Sequence, residues 1–186
     1  MSVPAASVRL MAESDSVTTS SDTHRRTAIE AELKRIEESA MYSAQIQFEQ
    51  TKQWRGVNLA LGLPASVLAA VSGATALAAT TGRVIAGILA LASAAFGAVL
   101  TTLNASHRMN QAAAAANAYL EIQSAARQAR EIDLPYWQID EARSALAELT
   151  ARRDEQNKTA EVPNKRSYKR AQKNISGGGQ TYAVDA

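Results

Sequence analysis

Cysteine, histidine, paired carboxylates and glycine-rich loops carry most protein chemistry, and this chain of 186 residues places few of them where they could cooperate. It has no cysteine, so it offers no thiol nucleophile, disulfide framework or thiolate metal site, which fits a cytoplasm-facing protein. Its two histidines, His24 and His107, lie far apart in sequence, and neither has a second ligand at helical spacing, so no metal site is expected. His107 reads either as a pH-sensitive group or as a wetted boundary residue. Glu30 and Glu32, Glu37 and Glu38, and Asp140 and Glu141 are adjacent or next but one. On a helix such pairs point apart, as solvated charges do, and not as a paired acid and base. Ser176-Gly177-Gly178-Gly179 has the glycines of a phosphate loop but no strand before it, no Lys-Ser or Lys-Thr after it and no helix opening behind it. No catalytic residue and no cofactor is expected: the chain does not read as an enzyme.

One charged cluster remains. Lys165, Arg166, Lys169, Arg170 and Lys173, with Tyr168 among them, form a basic run in a tail read as disordered over 159–186. Such a run either keeps a tail soluble or meets a polyanion, anionic lipid or nucleic acid.

The elements that would carry these groups are organised around two uncharged stretches, Gly56 to Gly82 and Val84 to Ser106, separated by Arg83 alone. Each exceeds the roughly 20 residues, at ~1.5 Å per residue, that a helix needs to cross a ~30 Å hydrocarbon core. The second stretch holds Val84, Ile85, Ile88, Leu89, Leu91, Phe96, Val99, Leu100 and Leu103 and no charge. At roughly −0.3 to −0.6 kcal/mol each, such side chains favour insertion by several kcal/mol. An Ala-rich soluble bundle is the alternative. The mean hydropathy of −0.19 averages charged flanks with this apolar middle. The opening MSVPAASVRLMAESD lacks a basic segment followed by an apolar one, so the hairpin itself is the expected targeting element. Lys52 and Arg55 before the first span and Arg108 after the second outnumber Arg83 in the turn, which predicts both termini on the inner, cytoplasmic side of the membrane.

The predicted architecture is all-α, a two-span transmembrane hairpin with cytosolic coiled-coil extensions before and after it. Residues 1–24 are read as disordered. A cytosolic helix is expected over 25–55, with Ile29, Leu33, Ile36, Ala40 and Ala44 at three-and-four spacing. The hairpin follows over 56–106, with spans of about 57–79 and 84–105 and the turn at Thr80-Thr81-Gly82-Arg83. Trp54, Arg55, Arg83, His107 and Arg108 are the expected membrane-boundary residues. The second span is expected to continue unbroken over 107–132, with a seam of Met109, Ala112, Ala116, Tyr119, Gln123 and Ala126. Asp133-Leu134-Pro135 predicts a turn, and a last cytosolic helix over 136–158 uses Ile139, Ala142, Leu146 and Leu149.

Taking ~100° per residue, Asn58, Gly62, Ala65, Ala69, Ser72 and Ala76 share one face of the first span, and Ala86, Ala90, Ser93, Gly97 and Asn104 share one face of the second. Leu61, Leu68, Leu89, Phe96 and Leu100 fall elsewhere and are expected to meet lipid. Small residues let helix backbones approach closely in a bilayer. The two faces are therefore expected either to pack against each other or to meet neighbouring protomers around a lumen. Asn58 and Asn104 are expected at one depth and within hydrogen-bonding reach.

The stretch WRGVNLALGLPASVLAAVSGATALA, the turn TTGR, and LTTLNASHRMNQAAAAANAYLEIQSAAR with His107 ahead of Tyr119-Leu120 together resemble the SLATT family of prokaryotic two-transmembrane effectors. The likeness covers Val57 to about Arg130. The resemblance implies a membrane-perturbing effector of an anti-phage conflict system, acting as a homo-oligomer that forms or gates a pore. With no nucleotide-binding domain in this sequence, it further implies that the trigger comes through a separate sensor or second-messenger-producing protein or acts directly at the cytosolic helices. Two other classes remain open: a membrane-tethered helical scaffold that recruits a cytosolic partner, and a holin-like lysis protein.

Overall fold

A computed structural model describes residues 5–78 and 83–179, with side chains over 21–77 and 84–179. The chain is all-helical, and among the described residues there is no strand. The elements are α1 (Ala5–Ala78), α2 (Arg83–Leu103), α3 (Ala105–Gln128), a π-helical turn (Ala129–Asp133), α4 (Ile139–Thr159) and α5 (Lys165–Ser176).

α1 starts at Ala5, whereas the sequence reading starts it at Arg25 and leaves residues 1–24 disordered. No glycine or proline occurs between Ala5 and Gly56, so nothing ends the helix in either direction. It carries Pro64 in its interior. Proline at that point cannot donate to the carbonyl of Ala60. The expected unbroken helix through Asn104 is also corrected. Asn104 adopts φ 49°, the one positive φ outside glycine among the described residues, and separates α2 from α3. Its N–H still reaches Leu100 O at 3.1 Å, and its carbonyl accepts from Arg108 N at 3.1 Å. Helical bonding therefore runs through the break, which asparagine tolerates better than other residues with a Cβ.

The chain divides into two compact units. The first comprises 1–43 and 117–159. Ile29, Leu33, Ile36 and Ala40 of α1, Tyr119, Ile122 and Ala126 of α3, and Ala142 and Leu149 of α4 form its core, each buried. The turn between α3 and α4 closes through Leu134 N bonding Ala129 O at 2.8 Å, the wide i to i+5 pattern. Pro135 has no N–H, so carbonyls around the turn lose helical partners. Arg26 supplies donors for two of them: its guanidinium bonds Leu134 O and, at 2.8 Å, Trp137 O. Arg130 pairs with Glu37 at 2.9 Å. Burial works against its charge, but the Glu37 hydrogen bond and the carboxylates of Glu37, Glu131 and Glu30 prevail and raise its pKa further.

The second unit comprises 44–116 and 160–186. It holds the apolar part of α1, all of α2, the start of α3, and α5. Within the tail expected to be disordered over 159–186, residues 180–186 lie outside the described residues and Lys165–Ser176 forms α5, whose start has a local cause. Asn164 caps it, its side chain accepting from Ser167 N at 2.9 Å, while Ser167 and Ala171 are fully buried beneath it.

Candidate membrane-spanning helix pair

Two helices are long and apolar enough to cross a membrane, Ser21–Leu77 and Val84–Asp133, and only 6% of the apolar window of each is buried by the chain. The core helix of a soluble protein would be mostly covered. Large apolar side chains such as Leu63, Val67, Val84, Ile88 and Leu91 are exposed.

The pairing of α1 with α2 is defined by two hydroxyls. Ser72 Oγ donates to Ala86 O at 2.7 Å, and Ser93 Oγ donates to Ala65 O at 2.7 Å. Residue numbers fall along one helix as they rise along the other, so the two run antiparallel. Four further hydroxyls turn inward on their own helix: Ser66 to Gly62 O, Thr75 to Val71 O, Thr101 to Gly97 O and Thr102 to Ala98 O. Each of these six hydroxyls thus has a partner within the chain, as hydrocarbon surroundings require.

Of the small residues expected on the two faces, Asn58, Gly62, Ala65, Ser72, Ala86, Ser93 and Gly97 lie on covered or half-covered surface. Ala69, Ala76, Ala90 and Asn104 are exposed. In place of the last four, Leu61, Leu68, Leu89, Phe96 and Leu100, expected to point away, are half-buried. Among the covered positions, 58, 61, 65, 68, 72 and 75 on α1 and 86, 89, 93, 96 and 100 on α2 form rows spaced alternately by three and four, with Gly62 and Gly97 at their edges. At ~100° per residue this turns each helix by roughly 50° from its all-small face. The physical reason is that a seam repeating at 3.5 residues stays against its partner and inserts large knobs between small ones, whereas a purely small face leaves voids. Close backbone approach at glycine plays no part within the pair: a Cβ added at Gly62 or Gly97 would meet nothing within 4 Å.

At the open end of the pair the expected boundary residues come together in part. The Arg108 guanidinium sits 5.1 Å from the centroid of the Trp54 ring, within cation–π range. Arg55 and His107 are exposed. Arg83 begins α2, but its side chain and the rest of the predicted turn lie outside the described residues. From Trp54 to Ala78 at 1.5 Å per residue is about 36 Å, enough for a bilayer core. The expected Asn58–Asn104 contact is not formed. Ser106 Oγ approaches Asn58 Oδ1 at 3.3 Å instead, because the left-handed step at Asn104 carries that side chain off the seam.

Just beyond Trp54 lies a polar cluster that the sequence reading did not single out. Gln47 and Gln50 are 3% and 2% exposed. Gln47 Nε2 donates to Glu161 O at 3.1 Å and Gln50 Nε2 to Glu161 Oε2 at 3.0 Å. The other carboxylate oxygen of Glu161 holds Arg108 at 2.5 Å. Glu161 thus ties α1 to α3. Three residues further along α1, a closed ring holds α5. Asn164 Nδ2 donates to Gln53 Oε1 at 2.7 Å, Gln53 Nε2 donates to Ser167 Oγ at 2.9 Å, and Ser167 N returns to Asn164 Oδ1. The available signal was the glutamine run of AQIQFEQTKQ, polar on more faces than a half-wetted helix needs.

Comparison of the chain with protein-family models, with curated proteins and with solved structures gives no match.

Proposed function

We propose that α1 and α2 form a transmembrane hairpin in a bacterial inner membrane, with both termini cytoplasmic, and that copies of it assemble into a pore-forming or gated effector. The observation that carries this reading is the antiparallel pair itself: six of its hydroxyls, from Ser66 to Thr102, are satisfied internally, yet large apolar side chains are left uncovered. Such a surface needs lipid or further copies. Ala69, Ala76 and Ala90, exposed beside the seam, are where the backbone of a second copy would approach closest. A single pair encloses no lumen, so a conducting form requires several.

The resemblance to SLATT proteins supports a role in anti-phage conflict, with a separate sensor or second-messenger-producing protein as trigger. Expression with a membrane-potential dye and an impermeant DNA stain tests the reading. Depolarisation and dye entry are expected on activation, and both should be lost in Ala69→Leu and Ala90→Leu. A fully inserted, fully expressed protein that leaves the potential intact under every activating condition would overturn it.

One observation favours a scaffold instead. In the first unit Arg25, Ile29, Glu32, Ile139, Arg143 and Leu146 line an open groove of about 510 Å³, with apolar floor and charges of both signs at its edges. If the hairpin is only an anchor, another two-span segment in place of residues 57–103 retains full function.

A further inference from the structure

We infer that the outer face of α5 is an anionic-headgroup site, an arm that grips acidic phospholipid beside the hairpin. This rests on the spanning reading of α1 and α2. α5 contains five cations, Lys165, Arg166, Lys169, Arg170 and Lys173, and no acid. At ~100° per residue they fall within an arc of about 140°, centred nearly opposite the buried side chains Ser167 and Ala171. All five are exposed. Among the described residues none of them is in an ion pair, whereas Lys52, Arg108, Arg130, Arg152 and Arg153 each have a carboxylate partner.

A cationic face alone is ordinary solvated surface. Its placement distinguishes this one. The Gln53–Asn164–Ser167 ring fastens the first turn of α5 to α1 one residue before Trp54, and Trp54 is stacked by Arg108, at the end of the apolar pair. The helix therefore cannot drift away as a tether would. Lys165, Arg166 and Lys169 stand on the turns of α5 held next to the end of the apolar pair, where an anionic surface would attract them. Exposed Tyr168 flanks the arc, a residue type suited to the half-wetted interface. Nucleic acid would satisfy the same charges, but the position beside the span ends favours lipid.

The test uses the full chain with Trp54 and Trp137 replaced by Phe and with Tyr168→Trp as the reporter, reconstituted in phosphatidylcholine vesicles with or without phosphatidylglycerol. Brominated phosphatidylglycerol is expected to quench position 168 several-fold more than brominated phosphatidylcholine, and added salt should erase the difference. Replacing Lys165, Arg166 and Lys169 by Gln, which preserves helix propensity, should abolish that difference, since the three cations together supply about a hundredfold in affinity for an anionic surface, near fivefold each. A companion protein that keeps Trp54 as its only tryptophan reports insertion. Trp54 quenched by either lipid while position 168 shows no phosphatidylglycerol preference overturns the headgroup site alone. Trp54 unquenched in both lipids overturns the spanning reading and the site with it. Short single-stranded RNA displacing position 168 from phosphatidylglycerol at micromolar concentration would assign the face to nucleic acid and overturn the lipid assignment.

Discussion

The hydroxyl of Ser72 donates a 2.7 Å hydrogen bond to the backbone carbonyl of Ala86, and it is buried there. Ser93 makes the reciprocal bond to Ala65 O, so each apolar helix reads the backbone of the other. Neither carbonyl depends on side-chain identity, and the pair can hold its register on surroundings that are otherwise aliphatic. Interhelical hydrogen bonds in bilayers are worth on average ~0.6 kcal/mol and up to ~1.7. Ser72→Ala and Ser93→Ala are each expected to weaken helix pairing by about that amount, and the double variant by their sum. Cysteines at 65 and 93, the second of which itself replaces Ser93, report register by cross-linking for Ser72→Ala, and thermal stability reports on Ser93→Ala. Undiminished cross-linking and thermal stability in Ser72→Ala would show that the bond does not hold the pair.

Glycine 97 separates packing within the chain from packing between chains. Because an added Cβ at that position meets nothing within 4 Å, Gly97→Ala should leave the stability of the monomer unchanged or raise it by up to ~1 kcal/mol, the helix-propensity difference. Gly97→Leu should likewise insert normally. A defect in oligomer size, measured by native mass spectrometry from detergent with insertion intact, would place Gly97 at an interface between copies. A loss of monomer stability in Gly97→Ala would contradict the open surroundings described here.

How much of this was legible in the sequence depends on what carried the signal. The apolar stretches, the seam Ile29-Leu33-Ile36-Ala40 and the turn before Pro135 were visible because large apolar side chains and proline act locally. The orientation of the span faces was misjudged by about 50°, since sorting small from large assumes that close approach dominates, while the actual seam alternates Leu61, Leu68, Leu89 and Phe96 with Ala65, Ser72, Ala86 and Ser93. α5 was invisible because its covered face consists of Ser167 and Ala171, too small to mark a period within a basic run. The Glu161 cluster was invisible for another reason: its partners lie more than a hundred residues away along α1, and nothing in a polar side chain announces a distant polar partner.

The link made by Glu161 shows the asymmetry of buried hydrogen bonds. Glu161→Ala leaves Gln50 Nε2, nearly fully buried, without its acceptor and releases Arg108, at an expected cost of about 1–3 kcal/mol. Most of that cost belongs to the stranded amide, because the Arg108 pair is half-exposed and screened. Glu161→Ala combined with Gln50→Leu should therefore recover most of the stability lost in the single variant. Additive losses, read from denaturation in detergent, would show that the two residues are not coupled.

Asn104 is the point where backbone conformation selects a residue type. A left-handed residue with a Cβ costs about 1–2 kcal/mol, less for asparagine and nothing for glycine. Asn104→Gly is expected to retain or gain stability. Asn104→Val should lose about 1–2 kcal/mol or straighten the junction of α2 and α3. Straightening would separate Ser106 from Asn58, a change readable as lost cross-linking between cysteines at 58 and 106. Equal stability and equal cross-linking in the Gly and Val variants would mean that the left-handed step is not fixed in the protein.

Tyr119 gives the first unit a dependence on alkaline pH. Its phenol is buried and donates to Asn157 Oδ1 at 2.8 Å, and burial raises its pKa above the ordinary 10.0. The protonated, neutral form is the one the core holds. Its stabilisation is therefore complete below the ordinary phenol range and is lost as pH rises through the higher folded value. Tyr119→Phe removes the hydrogen bond, costing ~1 kcal/mol at neutral pH, but it also removes the group whose ionisation destabilises the fold. Stability curves of the native chain and the variant are therefore expected to converge, then cross, as pH climbs beyond 10, with one phenolate absorbance step above the ordinary phenol range missing from the variant. Parallel curves across that range would show that Tyr119 ionises no less readily than a solvated tyrosine.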